Sequence, residues 1–199
     1  MMKRLLDFFA SAAGLLFLLP VLVAISLLVK LGSPGPVFFR QVRVGKNGKT
    51  FRIFKFRTMV VQAEAKGPQI TIGARDPRVT RIGHVLRALK LDELPQLLNV
   101  LFGDMSLVGP RPEVPRYVEM YDDRQKGVLR VRPGITDPAS LAFRDENGML
   151  GSESDPERAY VEKIMPAKLE INLAYLESRT MFTDLVVITR TMGCLVGAR

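Results

Sequence analysis

The chain has 199 residues, with 29 Lys and Arg against 20 Asp and Glu, and a formal net charge of +9. That balance points to a polyanionic partner such as anionic lipid, a phosphorylated substrate or nucleic acid. A lone cysteine and a lone histidine exclude an internal disulfide and a cysteine-based zinc cluster, and argue against a histidine metal site or a Ser/His/Asp triad.

Mean hydropathy is above zero despite the many basic residues, which favours a membrane surface over nucleic acid. There is no Trp and aromatics are 8% of residues, so no base-stacking platform stands out. Any metal is left with oxygen ligands, which suits magnesium. The length fits one compact domain plus an appendage. The single cysteine fits a reducing, cytoplasm-facing location.

Residues Leu5 to Val29 are almost continuously apolar, interrupted by Asp7. About 25 helical residues reach roughly 37 Å, against about 30 Å of hydrocarbon. Pro20 sits mid-run, and positive charge flanks both ends: Lys3 and Arg4 before, Lys30, Arg40, Arg43 and Lys46 after. The positive-inside rule draws both ends to one side. Two readings fit: a re-entrant helix that breaks at Pro20, and a kinked single-pass anchor.

An exit loop follows at Gly32-Ser33-Pro34-Gly35-Pro36. Val37 to Val44 and Phe51 to Met59 flank Gly45-Lys46-Asn47-Gly48, which predicts a β-hairpin with interleaved basic and aromatic residues. Residues 60–79 read as a loop-rich connection. Thr80 predicts an N-cap for a helix carrying Ile82, Val85, Leu86 and Leu89 on one side and Arg81, His84, Arg87 and Lys90 on another. A helix with such stripes lies at a membrane interface or against acidic ligands.

Leu91-Asp92-Glu93-Leu94-Pro95 places two adjacent carboxylates among leucines and cations. A helix is expected from Asp92 to Gly103, with Pro95 in its first turn and Asp92 at or beside the N-cap. Free N–H groups there favour an ionised carboxylate and an anion pocket. Asp92 thus reads either as a nucleophile or metal ligand, or as an ordinary capping residue beside a solvated Glu93. Downstream, Gly109-Pro110-Arg111-Pro112-Glu113 holds Arg111 on a rigid loop, which suits bidentate phosphate recognition.

Residues 114–128 read as a polar helix, 130–136 as a short strand and turn, and 137–155 as an acidic loop. Ser154 or Asp155 caps a helix from Pro156, Pro166 starts another with Leu169, Leu173 and Leu176 on one face, and Thr183 to Val196 is an apolar helix that fits either the core or the membrane surface, with the core preferred. No Walker or G-x-G-x-x-G loop is present.

Several ordered motifs resemble the bacterial sugar transferase family, the small monotopic phosphoglycosyl transferases. They are Lys3-Arg4 with Asp7, Pro20 in the apolar run, the segments Gly35 to Gly45 and Phe54 to Met59, Leu91 to Leu97 with Asn99-Val100, Gly103 to Ser106, and Gly109 to Glu113. The resemblance implies an α+β, mostly helical fold. A re-entrant helix-break-helix over 1–31 would precede one cytoplasmic-face catalytic domain over 32–199, built from a small hairpin and interfacial amphipathic helices.

It also implies transfer of a sugar-1-phosphate from a UDP-sugar to polyprenyl phosphate at the bacterial inner membrane, with Mg2+, opening surface glycan assembly such as that of exopolysaccharide. Asp92 would be the nucleophile and Glu93 its partner, both able to hold the metal. By motif position Lys55, Arg57, Arg87, Arg111 and Arg144 would contact phosphate or nucleotide, with Glu113 a further substrate-binding residue. The expected partners are the two substrates and an anionic bilayer, with no nucleic acid. One departure stands out: Asp137-Pro138-Ala139-Ser140 replaces the family's Gly and aromatic-Ala-Gln stretch after Thr136, in a loop expected to touch the donor. The alternatives are a metal-dependent membrane phosphodiesterase and a basic membrane-surface scaffold.

Overall fold

The computed structural model describes residues 2–63 and 76–197; of the expected 60–79 connection, 64–75 lie outside the described residues. The architecture is mostly helical, with two small two-stranded sheets among the described residues.

Helix α1 (Met2–Gly32) runs unbroken through Pro20, so the expected interruption of the helix is absent. The reason is local. Proline forfeits the bond from its own nitrogen to the carbonyl four residues back, and both Pro20 and Leu16 lie on the outer, exposed face. The inner stripe, with Asp7, Ser11, Ile25 and Val29 buried, stays packed on either side.

Both ends of α1 dock on the same body. Near its start, Asp7 accepts hydrogen bonds from Ser106 Oγ at 2.8 Å and Leu107 N at 3.1 Å. Arg4 donates to the carbonyls of Val100 and Leu101, and Lys3 pairs with Asp184. Near its end, Ile25 and Val29 pack with Phe56 and Leu86. The outward side, including Leu16, Phe17 and Leu31, is exposed and apolar.

The hairpin forms as expected. Strands β1 (Phe38–Val44) and β2 (Thr50–Phe56) pair antiparallel from Phe38↔Phe56 to Val44↔Thr50. Asn47 and Gly48 supply the positive φ of the turn, 56° and 76°. Helix α2 (Arg81–Ala88) is capped as expected, with Thr80 Oγ1 accepting from Gly83 N at 3.0 Å. Gly83 lets α2 cross the end of β2 closely, because a Cβ there would lie 2.1 Å from the Thr58 carbonyl.

The helix expected from Asp92 starts later. Leu91–Glu93 forms one 3-10 turn, entered through Lys90 at φ 56°, and α3 (Gln96–Phe102) follows Pro95. Asn99, fully buried, ties α3 to β2: it accepts from Phe54 N at 2.8 Å and donates to the Arg52 carbonyl at 2.9 Å. Strand β3 (Ser106–Val108) then pairs in parallel with β4 (Gly134–Thr136).

The remaining chain is a helical layer. The expected helix over 114–128 is a single turn, α4 (Pro115–Val118), and a 3-10 segment at Gln125–Arg130. The expected acidic loop over 137–155 contains α5 (Pro138–Ala142) and α6 (Glu146–Gly151), capped by Asp137 and Asp145. Asp155 caps α7 (Pro156–Ala159), which continues through a π-turn into α8 (Met165–Ser178). Tyr117, Tyr121, Leu150, Tyr160 and Leu169 make the core of this layer. Helix α9 (Met181–Val196) was expected in the core, but only Val187 is fully buried among its described side chains, while Met181, Phe182, Leu185 and Met192 are exposed. Its start is tied down at Asp184, which accepts from the Tyr175 hydroxyl and pairs with Lys3, and Val187 packs inward with Val108 and Tyr175.

Candidate active site

A cavity of about 950 Å3 opens between the hairpin, the Asp92-Glu93 turn, the Arg111 loop and α8. Each wall brings one type of chemistry.

Lys55 comes from β2, opposite Phe39. Arg111 comes from the loop after β3, which Gly109 and Gly134 clamp onto β4: Gly109 N donates to the Thr136 carbonyl at 3.1 Å and Gly134 N to Pro110 at 3.0 Å. A Cβ on Gly109 would lie 2.6 Å from the Arg132 carbonyl, and one on Gly134 would lie 2.1 Å from Gly109 N. The loop is therefore rigid, as the sequence predicted, but for a reason beyond its prolines.

Lys55 and Arg111 converge on Glu93. Lys55 Nζ donates to Oε1 at 2.8 Å, Arg111 Nη1 donates to Oε2 at 3.1 Å, and Arg111 Nη2 adds a closer bond to Oε1. Burial alone would raise the Glu93 pKa. The two cations outweigh it and hold the carboxyl well below its usual range. Burial lowers the Lys55 pKa, with Glu93 opposing, whereas Glu93 raises that of Arg111.

Asp92 is the contrasting member. It lines the cavity, is 8% exposed, and makes no hydrogen bond or ion pair among the described residues. Burial pushes its pKa upward, Lys55 pulls it down, and the charge of Glu93 pushes it up again. The expected capping role at a helix N-terminus is thus not what the structure shows. The environments of the adjacent carboxylates differ: one is fixed by cations and the other lines the cavity without an ion pair among the described residues.

The remaining expected site residues divide. Arg87 lines the cavity and its Nε donates to Thr58 Oγ1 at 2.8 Å; burial lowers its pKa, with the Asp92 charge the largest opposing influence. Arg144 lies on the rim, exposed, with no ion pair among the described residues. Arg57 also borders the cavity, yet its guanidinium caps the end of α1, donating to the carbonyls of Pro34 at 2.6 Å, Ser33 at 2.8 Å and Val29 at 3.2 Å. Gly35, at φ 125°, leaves room for it, since a Cβ there would lie 1.9 Å from Nη1. Glu113 is likewise committed: it accepts from Arg43 Nη1 at 3.1 Å, from Val114 N at 2.8 Å and from the Tyr160 hydroxyl. Arg57 and Glu113 are therefore placed as struts of the cavity wall.

Sequence reading missed Tyr160, Lys168 and Asn172, which reach the cavity from the far end of the chain. No local signal marks them. Among the described residues no cluster of three or more His, Cys, Asp or Glu side chains forms a metal site, so Asp92 and Glu93 are the carboxylates at hand.

A sequence profile of bacterial sugar transferases matches residues 1–198. The chain belongs to the bacterial sugar transferase family. It is 38% identical over 198 residues to the UDP-glucose:undecaprenyl-phosphate glucose-1-phosphate transferase of Caulobacter vibrioides, covering 98% of this chain and 69% of that protein. It is 37% identical to the UDP-N-acetylgalactosamine-undecaprenyl-phosphate N-acetylgalactosaminephosphotransferase of Aeromonas hydrophila, covering 99% of this chain and 45% of that protein. It is 38% identical to the exopolysaccharide production protein PSS of Rhizobium leguminosarum, covering 96% of this chain and 93% of that protein. The chain thus spans less than half of some sugar transferase relatives and nearly all of others.

Proposed function

We propose that this sugar transferase moves a sugar-1-phosphate from a UDP-sugar to undecaprenyl phosphate through a phosphosugar held on the Asp92 carboxylate as an acyl phosphate. The observation that carries the reading is the split in the dyad: Glu93 is held by Lys55 and Arg111, and the Asp92 carboxylate faces the cavity unpaired among the described residues. An Asp92 oxygen attacks the β-phosphorus. The bond from that phosphorus to the bridging oxygen breaks, and its electron pair leaves with UMP. An oxygen of the lipid phosphate then attacks the same phosphorus and expels Asp92, giving a sugar diphosphate lipid. Lys55, Arg87, Arg111 and Arg144 neutralise the anionic phosphates that the carboxylate approaches.

The donor set suits magnesium, which is commonly held by one or two carboxylates with phosphate oxygens and water completing the shell. Asp92 would hold the ion, with Glu93 beside it; when bound, it supplies charge neutralisation at the diphosphate.

Enzyme mixed with a UDP-sugar labelled in the sugar, with no lipid acceptor, is expected to release UMP and gain the mass of a sugar phosphate on the peptide containing Asp92. UMP release with no adduct anywhere would favour simple phosphodiester hydrolysis.

We further infer that α1 sits in one leaflet of the cytoplasmic membrane, with both ends and the catalytic domain on the cytoplasmic side. Among the described residues it is the one helix long and apolar enough to cross a membrane, but both its ends bind the same body. In a Cys194→Ser background, single cysteines at Met2 and Lys49 are expected to resist an impermeant thiol reagent in intact spheroplasts and to react after lysis. Labelling of residue 2 from outside would restore the single-pass anchor.

A further inference from the structure

We propose that the lobe of the cavity between α5, α6 and α8 holds the sugar of the donor, with Asn172 as a specificity-determining residue. This rests on the phosphoglycosyl-transfer reading above.

The cavity has three chemically different parts. Around the dyad, Lys55, Arg87 and Arg111 suit phosphates. On another side Phe38, Val60, Val61 and Leu89 line it and are exposed and apolar, which suits a lipid chain. The third part is polar, and its inner charges are matched within the wall, with the exposed Arg144 only at its rim. Lys168 Nζ donates to Glu146 Oε2 at 2.6 Å, so its cation is matched before any ligand arrives. Ser140 Oγ donates to Asp137 Oδ2 at 2.6 Å, which leaves its oxygen free to accept. A neutral ligand rich in hydroxyls fits such a surface better than a phosphate does.

Asn172 supplies the pointer to a ligand. It lines the cavity from the middle of α8, is 4% exposed, and its Oδ1 is buried with no hydrogen-bond partner. Buried polar atoms are rarely left so, because the lost hydration is not returned. An unpaired amide in a cavity wall is completed by a sugar hydroxyl or by the N–H of an acetamido group. A nucleobase fits less well. Its natural shelf would be an aromatic face, yet Tyr160 packs at 5.1 Å against Tyr117 and carries Lys168 Nζ 5.9 Å from its ring.

The place also suits the reaction. In a displacement at the β-phosphorus, UMP departs opposite Asp92, and the sugar, bonded to the same phosphorus, projects to the side. Glu146 is close enough to influence Arg111, so the lobe adjoins the phosphate site.

The test compares UDP with UDP-sugars that differ at C2 and C4, using the full-length protein in detergent. Asn172→Ala is expected to weaken the preferred UDP-sugar about 10-fold, the equivalent of about 1.4 kcal/mol, with UDP affinity changed less than about 2-fold. The ratio of kcat/KM between sugars should shift by a similar factor. Equal losses for UDP and UDP-sugar would move the nucleotide into this lobe and overturn the proposal. Unchanged affinities and ratios would overturn it too. If Asn172→Ala fails to fold, Asn172→Asp and Ser140→Ala carry the same comparison. A wild-type protein that turns over no UDP-sugar removes the parent reading; turnover with indifferent Asn172 and Ser140 variants removes this inference alone.

Discussion

Asp92→Asn is expected to lose turnover by on the order of 10³-fold or more and yet to melt no lower than the parent protein at neutral pH. Burial raises the Asp92 pKa, only partly opposed by Lys55, so the ionised form is disfavoured by the fold. A carboxyl raised in the folded state adds stability below its unfolded pKa of 3.8 and loses that contribution as pH rises through the folded value. At neutral pH the charge is therefore a net cost, and a neutral isostere removes it. Thermal melts should place Asp92→Asn level with or above the parent at pH 7, by about 2–4 °C for each kcal/mol relieved. The gap should close below about pH 4. The acid limb of wild-type kcat should lie above the ordinary carboxylate range for the same reason. A variant that melts well below the parent at pH 7 would make Asp92 a structural cap, and the proposed chemistry would need another nucleophile.

That outcome separates two readings of one residue that local pattern could not. Features set by neighbours in sequence were legible: Thr80 as a cap, Asn47-Gly48 as a turn, Asp155 before Pro156, and the hairpin's alternation. Asp92 was legible as unusual, but its surroundings were not. Lys90 in a left-handed conformation and the 3-10 turn shift α3 four residues onward, which takes Asp92 off the helix end and into a buried wall. Helices α5 and α6, with 5 and 6 residues, are too short to show a period, and side-chain caps define them instead.

Long-range contacts were the least legible. Arg57 sits in a basic motif that reads as phosphate-binding, yet its partners are carbonyls at the end of α1, more than twenty residues earlier. Nothing in residues 165–178 beyond a leucine face announces Lys168 and Asn172 as cavity residues. They become so only when α8 packs against α5 and the Gln125–Arg130 segment. The departure at Asp137 is now intelligible: its fully buried carboxylate accepts from Ser140 N and Oγ and builds α5 where the family pattern would leave a glycine.

Glu93→Gln should do the opposite of Asp92→Asn and weaken the fold. Lys55 and Arg111 are placed together because Glu93 lies between them, and a neutral amide leaves two like charges in a partly buried wall. Removing one partner of a buried ion cluster costs about 3 kcal/mol, here about 6–12 °C. The sign with pH is fixed by the depressed carboxyl. Its contribution is complete above the unfolded value of 4.5 and is lost as pH falls through the lower folded value. The melting gap between parent and variant should accordingly be widest near neutrality and narrow in acid. Activity carries an independent signature. Burial already lowers the Lys55 pKa and Glu93 opposes that, so without Glu93 the ammonium deprotonates at lower pH. Donor KM should then climb earlier on the alkaline side in Glu93→Gln than in the parent. A double-mutant cycle with Arg111→Met should return a coupling of about 1–3 kcal/mol, because the second change removes a charge the first has stranded. A melting gap constant from pH 3 to 8, with no coupling in the cycle, would show that the three side chains do not act as one cluster, and the division of labour within the dyad would lose its physical cause.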